Sequence, residues 1–109
     1  MAERATIARP YAKAAFEYAR AAQAFAAWSQ GLAVAASIVA DPRVTALTKD
    51  PERTPADRAE FVIGVAGANL DAGMQNFVRV LAENRRLLLL PEIAAHYEAA
   101  RAYSNAAFA

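Results

Sequence analysis

This sequence predicts an all-α fold, a six-helix bundle in a single domain, and three observations predict it. Alanine fills 31 of the 109 positions, and alanine favours helix because it loses no side-chain entropy when the backbone coils. Helix-breaking signals fall at Asp41-Pro42, from Lys49-Asp50-Pro51 through Thr54-Pro55, around Gly67 to Gly73, and from Arg85 to Pro91, leaving helix-length segments between them. The first segment gathers its charges on one narrow stripe, as a helix packed on a core does.

Helix one is predicted from Thr6 or Arg9 to Ala22, helix two from Ala24 to Ala40, and a short helix three from Pro42 to Lys49. Thr54-Pro55-Ala56-Asp57 has the form of an N-cap with proline at the first helical position, opening helix four toward Val65 or Ala68. Within it Phe61-Val62-Ile63-Gly64-Val65 is rich in β-branched residues, but a lone strand would have no partner, so helix is kept. Helix five is expected from Ala72 to Asn84, and Pro91-Glu92 suits the start of helix six because proline and an early acidic side chain belong in a first turn. Residues 1–105 are taken as the domain and 106–109 as a tail that frays.

At 100° per residue, Arg9, Lys13, Glu17 and Arg20 of helix one share one stripe, while its apolar residues span roughly 200°, about twice the arc that one core contact needs. Either helix one is central and packs on several neighbours, or the arc divides. In the divided case Phe16, Ala12 and Ala19 face the core, and Tyr11, Ala14 and Tyr18 line an outward groove. Tyrosine suits such a boundary, its ring buried and its hydroxyl wet. Helix five has Met74, Phe77, Val78 and Leu81 on a core face and Gln75, Arg79 and Glu83 on a solvent face, while Val80 lies beside Asn76 and Asn84 on neither. With helices one and five adjacent, Val80 completes an apolar strip able to accept a short amphipathic helix.

Composition bounds the function. Twelve basic residues against eleven acidic ones lack the one-sided positive charge of a nucleic-acid binder, and the Arg85-Arg86 pair is assigned to the carbonyls and dipole of a helix end. No uncharged apolar run reaches the length of a membrane span, and the first residues lack a secretory signal, so a cytosolic location without membrane insertion is expected. Cysteine is absent, and with it any thiolate ligand or nucleophile.

Catalytic chemistry has little support. His96 is the only histidine and has no second histidine, cysteine or carboxylate cluster beside it, so it is given a surface or packing role and no metal is predicted. Glu92 and Glu98 fall on opposite sides of helix six, and Asp57 with Glu60 forms an ordinary solvated pair, so neither is an acid/base dyad. Gly64, Gly67 and Gly73 do not form a phosphate loop, and no cofactor is expected. Trp28 is a core anchor in helix two.

Two ordered stretches carry a family resemblance: Ala8-Arg9-Pro10-Tyr11-Ala12-Lys13-Ala14-Ala15-Phe16, and Gln75-Asn76-Phe77-Val78-Arg79-Val80-Leu81-Ala82-Glu83-Asn84-Arg85-Arg86-Leu87 followed by Leu90-Pro91-Glu92-Ile93. Together with Trp28 and Thr54 to Asp57 they make the chain resemble the amino-terminal domain of the delta subunit of bacterial F-type ATP synthase, the oligomycin sensitivity-conferring protein family, over most of residues 1 to about 100. The resemblance implies a non-catalytic stator domain of the peripheral stalk at the top of the catalytic head. It would belong to the proton-translocating complex at the cytoplasmic face of the bacterial inner membrane. It also implies that helices one and five bind the amino-terminal helix of an alpha subunit, and the partner-binding set on this chain is Tyr11, Ala14, Ala15, Tyr18, Asn76 and Val80. The carboxy-terminal domain through which family members engage the stalk b subunits is not among residues 1–109, and the isolated domain is expected to be a monomer. The alternative is a helical adaptor or regulatory domain that self-associates through the same strip.

Overall fold

The computed structural model describes the backbone of residues 2–108 and the side chains of residues 3–104. Six α-helices follow in order: α1 (Ala2–Ala21), α2 (Phe25–Ala40), α3 (Pro42–Lys49), α4 (Pro55–Ala66), α5 (Ala72–Glu83) and α6 (Leu90–Phe108). Single 3-10 turns at Gly67–Asn69 and Leu87–Leu89 lead into the last two. No strand occurs among the described residues, and the β-branched run from Phe61 to Val65 lies inside α4. The fold is the predicted all-α six-helix bundle.

Side-chain chemistry sets the starts of α3, α4 and α5. Thr54 and Asp57 form a reciprocal capping box, the Thr54 hydroxyl accepting from the Asp57 N–H at 3.1 Å and Asp57 accepting from the Thr54 N–H at 3.3 Å. Asp71 accepts from the Met74 N–H at 2.9 Å to open α5. Asp41 accepts from both the N–H and the guanidinium of Arg43, which hold its carboxyl down at about 2.

Two helix ends close in the same way. Gln23 and Arg85 occupy the left-handed region, with φ of 53° and 59°. After α1 the Ala24 N–H reaches Ala19 O at 2.8 Å and the Gln23 N–H reaches Arg20 O at 3.1 Å; after α5 the Arg86 N–H reaches Leu81 O at 2.7 Å and the Arg85 N–H reaches Ala82 O at 3.0 Å. Each end therefore has its orphan carbonyls met by paired main-chain donors, usually with glycine at the left-handed position. The last carbonyls of α5 are met by the main chain of Arg85-Arg86, and no hydrogen bond from the two guanidiniums to them occurs among the described residues.

Two expectations need adjustment. α1 starts at Ala2, several residues before Thr6 or Arg9, and runs through Pro10. Proline inside a helix removes one backbone donor, but the turns before it are anchored. Ala8 is fully buried, and the Arg4 guanidinium donates to Glu92 Oε1 at 2.8 Å and to Leu88 O at 2.7 Å. At the far end the helical backbone of α6 continues to Phe108, through most of the expected 106–109 tail; Met1 and Ala109 lie outside the described residues.

α2 carries no charged side chain and touches α1, α3, α4 and α6, as a helix apolar on several sides must. α6 packs along α1 and α2, while α4 and α5 pair on the other side of α2. Tyr97 and Ile93 of α6 and Leu81 of α5 are wholly buried. The Tyr97 hydroxyl donates to Phe25 O at 2.7 Å, and burial raises its pKa. Gly31 marks a close approach: a Cβ there would collide with Met74 Sδ and stand 3.1 Å from Asn69 O. Its bare backbone lets α2 pass beside the start of α5.

Candidate docking groove

The buried side of α1 consists of methyl groups. Ala8, Ala12, Ala15 and Ala19 recur at the helical period and are almost entirely covered. A quarter-turn away the same helix presents Pro10, Tyr11, Ala14 and Tyr18 to a groove of about 540 Å³, whose opposite wall is Gly73, Asn76, Phe77 and Val80 of α5. Along α5 those positions follow the three-and-four spacing that places residues on one helical face.

Trp28 of α2 packs behind two of these residues, Tyr18 and Phe77. It is 3% exposed, its indole lies stacked on the Tyr18 ring at 6.1 Å with 7° between planes, and the Phe77 ring meets it edge-on at 5.6 Å. Tyr18 is thereby held by one face while remaining 63% exposed, and Val80 opposite is 47% exposed. Tyr11 and Ala14 are half-buried between them. No lining residue carries a formal charge. Arg79 on α5 donates to Glu60 Oε2 and to Oδ1 of the lining residue Asn76, both at 3.0 Å. An apolar trench of this kind suits the apolar face of a helix.

Five of the six residues singled out in the sequence meet at this groove: Tyr11, Ala14, Tyr18, Asn76 and Val80. Ala15 does not. It is 0% exposed and belongs to the alanine face, because the apolar arc of α1 is continuous and its dividing line falls between neighbouring residues. Three lining residues were not anticipated, Pro10, Gly73 and Phe77. Pro10 stands four residues before Ala14, and Gly73 stands seven before Val80, so the helical period could have found both. Phe77 was assigned wholly to the core and serves both sides, 7% exposed with its ring at the groove.

Other candidate chemistry is dispersed. Glu92 is engaged by Arg4, whose hydrogen bond is the main reason its carboxyl lies below the ordinary range. Asp57 caps α4 and Glu60 pairs with Arg79, so these two carboxylates do not form the simple solvated pair read from their spacing. His96 is half-buried on α6, and no group of three or more potential metal ligands forms among the described residues.

Residues 7–108 match the ATP synthase delta (OSCP) subunit family. The chain belongs to that family. It is 51% identical over 102 residues to the protein named ATP synthase subunit delta of Thioalkalivibrio sulfidiphilus, a match covering 94% of this chain and 57% of that protein. It is 47% identical over 98 residues to the ATP synthase subunit delta of Teredinibacter turnerae, covering 90% of this chain and 55% of that protein. The chain thus spans just over half the length of the curated relatives it matches. Both resemblance-bearing stretches and the whole groove fall within the part that matches the delta (OSCP) family. No helix among the described residues is long and apolar enough to cross a membrane.

Proposed function

We propose that this domain is a non-catalytic part of the peripheral stalk of a proton-translocating F-type ATP synthase. In this role it docks the catalytic head by receiving the amino-terminal helix of an alpha subunit in the groove between α1 and α5. The observation that carries the proposal is the gathering of Tyr11, Ala14, Tyr18, Asn76 and Val80 around one uncharged trench lined also by Phe77, with Trp28 packed behind Tyr18 and Phe77. An amphipathic helix laid there would bury the exposed parts of Tyr18 and Val80, gaining about 25 cal/mol for each Å² of apolar surface covered. Ordering the helix and losing its free rotation would offset much of that gain.

The mechanism is mechanical. The groove restrains the head at the cytoplasmic face of the inner membrane while rotor torque drives ATP synthesis in sites elsewhere, and no bond is made or broken in this domain. Contact with the stalk b subunits would run through a carboxy-terminal region outside residues 1–109. The aromatic stack is suited to the restraint, because Tyr18 is already oriented by Trp28 and loses little freedom when a partner covers it.

Titration with the amino-terminal peptide of a bacterial alpha subunit tests this, followed by Trp28 emission and backbone amide shifts. Saturable one-to-one binding with the largest shifts at Tyr11, Ala14, Tyr18 and Val80 is the expected outcome. A folded domain that ignores the peptide would overturn the assignment. Sedimentation at several concentrations addresses self-association through the same strip: docking to an alpha subunit predicts a monomer, and a dimer dissolved by Val80→Asp would favour the adaptor alternative.

A further inference from the structure

Toward the other end of α5 lies a surface feature of opposite character. An open depression of about 600 Å³ is bordered by Lys49, Arg53, Arg58 and Arg85. It adjoins a small recess of about 90 Å³ closed by Ala82, Leu87 and Leu88. Arg58, Arg85 and Thr48 border both. Four of the chain's twelve basic residues therefore meet at one place. None of the four belongs to an ion pair among the described residues, where the pairs join Arg4 to Glu92, Arg20 to Glu17, Arg43 to Asp41 and Arg79 to Glu60. A single carboxylate, Glu52, borders the depression.

Arg58 holds the decisive atom. Its Nη2 donates to Asp50 O at 2.8 Å, but its Nε is buried and meets no acceptor among the described residues. A guanidinium N–H can only donate, and a buried donor without an oxygen opposite it is rare enough to need a cause. Thr48 does not donate into the space, since its hydroxyl already donates to Thr45 O at 2.8 Å. Arg85 reaches the same place from a left-handed backbone position where glycine would rest without strain. Gln23 takes that conformation too, so the turn itself does not call for arginine.

We propose that the recess binds a phosphate-type oxyanion. The Arg58 and Arg85 guanidiniums, which border both spaces, would donate to its oxygens, with Lys49 and Arg53 adding charge at the mouth. Two guanidiniums match an anion that accepts in several directions, and four cations against one carboxylate favour a multiply charged one. This site is separate from the groove and does not depend on how the groove is used.

The test is a titration of the isotope-labelled 109-residue chain with inorganic phosphate near neutral pH, at ionic strength held constant with chloride and repeated with acetate. Saturable shifts at the Arg58 and Arg85 Nε–H signals are expected with phosphate alone. Arg85→Gly should fold at least as well as the parent and weaken phosphate binding roughly tenfold, and Arg58→Lys should weaken it less than Arg58→Gln. Equal shifts with chloride or acetate would overturn the proposal. So would an unchanged phosphate affinity in the folded Arg85→Gly variant.

Discussion

α1 presents two apolar faces, one closed and the other open. On the closed side Ala8, Ala12, Ala15 and Ala19 are covered, in the same core as Ile93 and Tyr97 of α6. On the open side Tyr11, Ala14 and Tyr18 look across a groove at Asn76 and Val80, and no helix among the described residues fills the gap. The difference lies in side-chain length. Methyl groups let two helices approach until both are dry, whereas the rings of Tyr11 and Tyr18 on either side of Ala14 leave a recess beside it. Apolar residues at helical spacing therefore do not by themselves specify a core contact, and their size pattern decides which face remains available.

The closed face should be the more sensitive one. Ala15→Leu adds three carbons where nothing is exposed, and is expected to lower unfolding free energy by about 1–3 kcal/mol. Urea denaturation measures this, and an effect below about 0.5 kcal/mol would show that the α1 contact relaxes easily. Ala14→Leu, one residue along on the open face, should be tolerated.

A smaller, opposite effect is expected where α1 ends. Gln23→Gly relieves a left-handed residue that has no Cβ requirement, and should stabilise by about 0.5–1 kcal/mol in the same assay. Destabilisation would mean that the flexibility glycine adds to the unfolded chain outweighs the relief.

The closed face also has an acid limb. Arg4 holds the Glu92 carboxyl below its ordinary range through their hydrogen bond, so the folded-state pKa is the lower one. The resulting stabilisation is complete above the usual glutamate value of about 4.3 and is lost as pH falls through the folded value. Glu92→Gln should flatten this limb of melting temperature against pH. Both groups are partly exposed, so the contribution is modest and screened by salt.

The open-face changes act more on binding than on stability. Val80→Ala should shift unfolding by no more than about 0.5 kcal/mol and Tyr11→Ala, whose ring is half-buried against the core, by about 1 kcal/mol, while each reduces alpha-peptide affinity roughly tenfold. Loss of fold in either variant would move that residue from the open face to the closed one.

Much of this was legible in one dimension. Thr54-Pro55 with Asp57 announced the start of α4, and the three-and-four spacing of Met74, Phe77, Val78 and Leu81 announced the buried face of α5. Tyr11, Ala14, Tyr18, Asn76 and Val80 could be proposed because each was apolar or neutral at a helix position the core did not require. Ala15 could not be separated from Ala14, since adjacent residues differ by 100° and the apolar arc had no internal edge. The early start of α1 was hidden because Arg4 is anchored by Glu92 and Leu88, more than eighty residues away in sequence. The basic depression was hidden for a similar reason: Lys49, Arg53 and Arg58 are close in sequence, but Arg85 joins them only through the packing of α4 on α5.

Sequence alone determined that this protein is helical, where most of its helices begin and end, and which family it resembles, because composition, caps and ordered motifs act over a few residues. The tertiary structure alone decided which apolar face of α1 is dry, that Trp28 stacks on Tyr18 at the groove, and that four cations outside any ion pair among the described residues share one depression, because those outcomes depend on distances between helices that no local pattern encodes.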